Sequence, residues 1–120
     1  MEIKNARIIG TKLGREDHGI LIFSIFVETD CYNVGIGNYA LDEYDKENDC
    51  RKYSAKSMEA ISKVLETVGV SNWEDLKGKY IRIVDEGWGK PVSKFGHLME
   101  NKWFDLREFF KIENGTYGNY

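Results

Sequence analysis

The segment Arg51–Val70 constrains the fold of this chain more than any other, because its helical period and both of its end signals agree. Ser54 or Ser57 can cap the start of a helix, and Gly69 stands where a left-handed residue would end it. Apolar residues recur at the spacing of a helix that buries one stripe of its surface: Met58, Ile61, Val64, Leu65 and Val68. The segment therefore predicts one long amphipathic helix packed on a core.

Runs of β-branched and aromatic residues predict that most of the remaining chain forms an antiparallel sheet of about five strands. The expected strands are 2–13, 20–27, 31–41, 80–84 and 92–99. The run ILIFSIFV at 20–27 is apolar at nearly every position, which is typical of a strand covered on both faces. Together with the helix, this pattern predicts an α+β fold.

The other segments complete the prediction of a single domain over residues 1–120. The acidic run DEYDKEND at 42–49 is expected to be a solvated loop, and short helices are expected near 72–76 and 103–111. The tail 114–120 contains turn residues without periodicity and is expected to be disordered.

Composition excludes several classes of function. The net charge of −3 argues against general nucleic-acid binding, which needs a basic face. Because there is neither a signal peptide nor a long apolar run, we expect a cytoplasmic protein without membrane contact. Two cysteines and two histidines without ligand spacing predict no metal site. Common enzyme and cofactor motifs are absent, so neither catalysis nor a cofactor is expected.

Basic and aromatic residues gather around the start of the predicted helix. Free backbone N–H groups and the helix dipole favour an anion at such a position, while an aromatic ring can stack on a base. The candidate ligand-binding residues here are Tyr39, Arg51, Lys52, Tyr53, Ser54 and Ser57. The alternative is a solvated basic stretch that pairs with the acidic run before it.

Two further places are candidates for chemistry. Trp88, in a turn flanked by glycines, is a candidate ligand-binding residue. It belongs to a second possible rim with Lys90, Lys94, Trp103 and Arg107, although core packing is the safer assignment for Trp103. His18 is a further candidate ligand-binding residue; beside Asp17 it could form an acid–base pair, or it could be a turn histidine with local hydrogen bonds.

The last predicted helix carries more apolar surface than a short helix can bury. Its phenylalanines are Phe104, Phe109 and Phe110. An oligomer would cover that surface, and a symmetric homodimer is the default expectation.

Four stretches of the sequence resemble a family of small uncharacterised phage and prophage accessory proteins. They are EDHG at 16–19, GNYALD at 37–42, NWEDLKGKY at 72–80 and GWGK…GH…KWFD at 87–105. The likeness extends from Ile3 to about Phe110. It implies a phage protein in the cytoplasm of a bacterial host and brings no catalytic residues with it.

Three functional hypotheses follow. The first is a phage-encoded anti-defence protein. It would be a homo-oligomer that sequesters a nucleotide-derived immune signal of the cyclic nucleotide or cyclic ADP-ribose type without cleaving it. This mode of action is inferred by analogy and not from a sequence motif. The alternative is a protein-binding inhibitor of a host defence or replication enzyme, acting through an acidic and aromatic face. The third is a small nucleotide hydrolase that uses Asp17 and His18.

Overall fold

The computed structural model describes residues 1–111, apart from the side chain of Asp17. Six strands form one antiparallel sheet in the order β3-β2-β1-β6-β7-β8. They are β1 (Glu2–Arg15), β2 (Leu21–Glu28), β3 (Asn33–Ala40), β6 (Tyr80–Asp85), β7 (Lys94–His97) and β8 (Trp103–Asp105). A separate hairpin consists of β4 (Asp42–Asp45) and β5 (Cys50–Tyr53).

Two helices and two short 3-10 turns accompany the strands. They are α1 (Ala55–Val68), α2 (Leu106–Phe109), and the turns Asp17–Gly19 and Trp73–Asp75. The α+β class is confirmed, and so is the turn expected near 72–76; the main sheet has six strands rather than about five. No helix of the described part is long and apolar enough to cross a membrane.

Helix α1 begins and ends as the sequence predicts. The Ser54 side chain accepts a hydrogen bond from the Ser57 backbone N–H at 3.2 Å. At the other end, Gly69 adopts a left-handed conformation with φ 92°, and its N–H donates to the Leu65 carbonyl at 2.8 Å. These bonds satisfy backbone groups that a helix end leaves unpaired.

The buried face of α1 differs from the predicted stripe at one position. Ala60, Val64 and Val68 are buried in the core, whereas Met58 is 70% exposed. Met58 precedes Val64 by six residues, which places it about 120° around a helix of 3.6 residues per turn. The prediction that Met58 belongs to the buried stripe is therefore wrong, and Ala60 lies on the buried face.

One other prediction of local structure is wrong. Residues 42–49 do not form a solvated loop, because Asp42–Asp45 pairs with Cys50–Tyr53 as a hairpin. The register places Tyr44 opposite Arg51 and Glu43 opposite Lys52. Opposite charges across the two strands stabilise this hairpin without an apolar pattern, which is why the sequence did not reveal it.

The short helix predicted near 103–111 is present, but it is shorter than the predicted range. Trp103–Asp105 forms the edge strand β8, and only Leu106–Phe109 is helical. Phe104 packs against Phe95 of the neighbouring strand, with ring centroids 6.1 Å apart, so packing across the sheet prevails over helical spacing. The predicted disorder of 114–120 lies outside the described residues.

The two faces of the sheet differ in what covers them. Ile81, Ile83 and Phe95 point into the core that α1 also contacts, and each is fully buried. Because side chains alternate along a strand, the residues between them lie on the opposite face. On that face Arg82 is opposite Gly96, and Gly96 is opposite Trp103. The candidate site lies at one end of this second face.

Candidate functional site

At the start of α1, Arg51, which was predicted to bind a ligand, instead contacts another residue of the protein. The Arg51 guanidinium contacts the Asp42 carboxylate at 2.8 Å and donates to the Asp42 carbonyl at 3.2 Å. Asp42 is only 3% exposed, and its carboxylate also accepts a hydrogen bond from the Leu21 backbone N–H at 3.2 Å. Within residues 1–111, the buried Arg51 Nε has no hydrogen-bond partner. Asp42 therefore joins the β4–β5 hairpin to the start of β2, and Arg51 neutralises its charge.

The other polar groups of the helix start also have internal partners. The Lys52 ammonium lies 3.1 Å from the Asp45 carboxylate. Hydrogen bonds from Asn48 and Lys52 hold the pKa of Asp45 below its ordinary value. The Ser54 hydroxyl caps α1, and the Ser57 hydroxyl donates to the Leu41 carbonyl. The positive end of the helix is thus partly occupied by the chain itself.

The predicted aromatic residues of this region differ in exposure. The Tyr39 ring stacks on Phe110, with centroids 5.0 Å apart and planes at 11°. Tyr53, the last residue of β5, is 67% exposed. Of this pair, Tyr53 presents more of its ring to a ligand.

The structure does not bring all of the predicted ligand-binding residues together. His18 lies in the turn between β1 and β2, with φ 60°. Trp88 follows β6, whose last residue, Asp85, pairs with Glu2 at the start of β1. Because β1 runs the length of the sheet, His18 and Trp88 lie at opposite ends of it. The predicted roles of all these residues remain predictions.

A cleft of about 590 Å³ lies beside α2, at the end of the sheet where β6 ends and β7 begins. Its lining combines apolar, basic and acidic side chains: Met1, Ile3, Val84, Glu86, Ser93, Lys94, Trp103, Asp105, Arg107, Glu108 and Lys111. This volume is within the range of small-molecule sites. The cleft contains Lys94, Trp103 and Arg107, which the sequence analysis assigned to the second candidate rim.

Lys94 and Lys111 in the cleft differ from Arg51 and Lys52 at the start of α1 in their acidic partners. In the described part of the chain, neither Lys94 nor Lys111 has a carboxylate within ion-pair distance. The Lys94 ammonium instead lies 5.7 Å from the centroid of the Trp103 ring. Asp105 caps α2 by accepting a hydrogen bond from the Glu108 backbone N–H at 3.2 Å. Lys94 and Lys111 can therefore contact an anionic group, while the carboxylates of the lining can accept hydrogen bonds from hydroxyl groups.

Trp103 is held firmly in the wall of this cleft. A Cβ atom on Gly96 would come within 2.5 Å of its ring, so the indole lies directly on the backbone of β7. The guanidinium of Arg82 lies over the same ring at 4.6 Å from its centroid. Arg82 is itself fixed by hydrogen bonds to the carbonyls of His97 at 2.8 Å and Glu100 at 2.9 Å. The position of the indole is thus set before any ligand arrives.

An aspartate anchors the turn that borders the cleft. The Asp85 carboxylate accepts hydrogen bonds from the Tyr32 hydroxyl at 2.8 Å and the Gly87 N–H at 2.9 Å. The Lys4 ammonium lies 3.0 Å from it. The hydrogen bond from Tyr32, with those from Gly87 and Lys4, holds the pKa of Asp85 at about 2. Burial and the bond to Asp85 raise the pKa of Tyr32.

Sequence reasoning missed Arg82 and Asp85. Arg82 reaches Trp103 only because β6, β7 and β8 are neighbours in register, and no local pattern reports that pairing. The Asp85-x-Gly87 spacing before a turn was a usable signal, since an aspartate often accepts the N–H two residues on. In the described part of the chain, no group of three or more His, Cys, Asp and Glu side chains is placed to hold a metal ion.

Comparisons with protein-family models, with curated proteins and with solved structures gave no match.

Proposed function

We propose that this protein binds a nucleotide-derived immune signalling molecule, of the cyclic nucleotide or cyclic ADP-ribose type, and sequesters it without cleavage. The observation that carries the proposal is the cleft beside α2, where a fixed indole lies 5.7 Å from the Lys94 ammonium and where, in the described part of the chain, neither Lys94 nor Lys111 has a carboxylate within ion-pair distance. We place the ligand there rather than at the start of α1, because Arg51 and Lys52 are already paired with aspartates.

The chemistry of the lining suits a nucleotide. Lys94 and Lys111 supply positive charge for phosphate groups, because hydrogen bonds between an ammonium and a phosphate oxygen are stronger than those between neutral groups. Glu86 and Glu108 can accept hydrogen bonds from ribose hydroxyls. Ile3 and Val84 provide an apolar wall beside them. A purely anionic ligand such as sulfate would use only the first of these features.

The biological setting of the proposal comes from the resemblance to phage and prophage accessory proteins. A phage protein that holds an immune signal lowers its free concentration in the infected cell, in proportion to the number of sites and their affinity. A homo-oligomer in the host cytoplasm would supply several such sites per particle.

Calorimetric titration tests the proposal directly. The protein should release or absorb heat with at least one member of a panel of cyclic dinucleotides, cyclic mononucleotides and cyclic ADP-ribose. Lys94→Ala should weaken that binding about tenfold, because it removes one charge-assisted contact. Lys77→Ala is the matched control, since it removes the same charge from an exposed position outside the cleft, and it should bind as the wild type does. The absence of heat with every member of the panel would contradict the proposal.

A second experiment separates sequestration from hydrolysis. The protein is incubated with the bound nucleotide and then denatured by heat, and the released molecule is identified by mass spectrometry. A sequestering protein returns the ligand intact, whereas the Asp17 and His18 hydrolase hypothesis requires a product.

The second candidate function is a protein-binding inhibitor, and one observation favours it. The β4–β5 hairpin presents an exposed aromatic ring, Tyr44, together with the exposed carboxylates of Glu43, Glu47 and Asp49. Such a face fits a basic partner surface. If a host protein co-purifies in stoichiometric amount and is lost when Glu43 and Glu47 are changed to lysine, this function is favoured over sequestration.

A further inference from the structure

The tryptophans differ in how much ring surface they leave for a ligand. Trp103 has the β7 backbone at Gly96 against its ring, and the Arg82 guanidinium lies over that ring. Trp73 donates from Nε1 to the Thr11 hydroxyl at 3.0 Å and packs edge-to-face with Phe23 at 5.8 Å. Trp88 is fully exposed, at 102% of its reference area. Only Trp88 therefore offers a bare ring face for stacking.

The backbone beneath Trp88 is held in place although its ring is exposed. The Lys90 N–H donates to the Gly87 carbonyl at 3.2 Å, which closes a tight turn. The Gly87 N–H is bound by Asp85, so the turn is tied to the end of β6. Gly87 and Gly89 have φ values of 118° and 78°, a conformation that favours glycine, so Trp88 is the only side chain between them. The turn thus presents a single indole at its tip.

This turn begins and ends at the cleft. Glu86, directly after β6, and Ser93, directly before β7, both line it. Trp88 is two residues from Glu86, which limits the separation of their Cα atoms to roughly 7 Å. Lys94, the first residue of β7, carries one of the cations without an acidic partner. The turn that carries the exposed indole therefore starts and ends at residues that line the cleft, while the Trp88 ring itself lies outside that lining.

We infer that the site has two parts: the cleft holds the phosphates, and the Trp88 ring stacks on the base of the same nucleotide at the mouth of the cleft. This inference rests on the proposed function and assigns the base and the phosphate groups of the ligand to separate parts of the site. Trp103 then contributes to the wall and positions Lys94, and it is not the stacking ring.

The inference predicts that ring recognition can be removed without removing phosphate recognition. The probes are ADP, which carries a base, and inorganic pyrophosphate, which does not. The wild type should bind ADP about tenfold or more tighter than pyrophosphate, since stacking of one base on an aromatic side chain is worth roughly that factor. Trp88→Ala should reduce the affinity for ADP to that for pyrophosphate and leave pyrophosphate binding unchanged. Trp88→Phe should recover most of the difference, because a phenyl ring also stacks.

Tryptophan fluorescence adds a readout that a merely structural role would not produce. Stacking of adenine on Trp88 should quench the emission of the exposed indole when ADP is added, and the quenching should be absent in Trp88→Phe. Equal ADP affinity in the wild type and in Trp88→Ala would overturn the inference and leave the proposed function standing. A wild type that binds neither probe, nor any member of the cyclic nucleotide panel, would overturn both. Loss of pyrophosphate binding in Trp88→Ala would also overturn the division into two parts.

Discussion

The start of α1 and the cleft beside α2 both combine cations with aromatic residues, but they differ in how those cations are paired. Arg51 and Lys52 at the start of α1, and Lys94 and Lys111 in the cleft, are cations close to aromatic rings. At the helix start, both cations form ion pairs with aspartates of the preceding strand. In the cleft, the lysines have no carboxylate within ion-pair distance in the described part of the chain. A basic stretch indicates a ligand site only where the fold supplies no anion of its own.

An aspartate is central to each region, but its role differs. Asp42 is buried and binds both Arg51 and the backbone of Leu21, so it stabilises the junction of the hairpin with the sheet. Asp85 is the last residue of β6 and fixes the turn that carries Trp88. The following predictions test this contrast between a region whose charges stabilise the fold and a region whose charges we propose bind a ligand.

The largest expected effect is on stability, from Asp42→Ala. The substitution leaves the Arg51 guanidinium without its carboxylate partner and the Leu21 N–H without an acceptor. Breaking a buried ion pair by removing one partner lowers the free energy of unfolding by about 3–5 kcal/mol. Urea denaturation followed by circular dichroism measures this value.

Asp42→Asn is the matched variant, because its amide oxygen can still accept from Leu21 while the charge is lost. It should be less destabilising than Asp42→Ala. If Asp42→Ala unfolds at the same urea concentration as the wild type, Arg51 is not held as a structural clamp, and the helix start returns as a candidate ligand site.

The next effect concerns the wall of the cleft. Gly96→Ala places a methyl group where the Trp103 ring and the Lys102 carbonyl already lie, at 2.5 Å and 2.8 Å. We expect the indole to be displaced from β7 and the protein to be destabilised by about 1–3 kcal/mol, the usual cost of overpacking. The near-ultraviolet circular dichroism of the tryptophans should change as well.

Gly14→Ala controls for the general effect of replacing a glycine in a strand. Its added methyl group would meet only the Lys12 side chain, at 3.9 Å. It should leave both stability and the tryptophan signal close to those of the wild type. Equal effects of the two substitutions would contradict the close packing of Trp103 on β7.

The sequence predicted those parts of the molecule that depend on neighbours along the chain. Ser54 and Gly69 end α1 as their local chemistry requires, and the apolar run of β2 forms an interior strand. The β4–β5 hairpin was missed because ion pairs across two polar strands produce no apolar alternation. Strand β8 was missed because three residues are too few to separate strand spacing from helical spacing.

The candidate site likewise has features that the sequence predicted and features that it did not. Lys94, Trp103 and Arg107 were named from their composition, and the structure places them in one cleft. The contact of Arg82 with the Trp103 ring could not be predicted, since it depends on the register of three strands that the sequence does not report. The neutralisation of Arg51 likewise required the pairing of β4 with β5.

The smallest effect, and the most specific to the cleft region, is the dependence of stability on pH through Asp85. Its pKa in the folded protein is about 2, below the ordinary value of 3.8, so the folded state favours the ionised carboxylate. The stability that Asp85 contributes is therefore complete above about pH 4 and is lost as the pH falls towards 2. Asp85→Asn should melt at a lower temperature than the wild type at neutral pH, and the difference should narrow through this window. Tyr32→Phe removes the largest cause of the shift, so NMR titration of the Asp85 carboxyl carbon should show its pKa moving up towards 3.8. A difference in melting temperature that stays constant from pH 6 to pH 2 would show that Asp85 does not anchor the Trp88 turn through its charge.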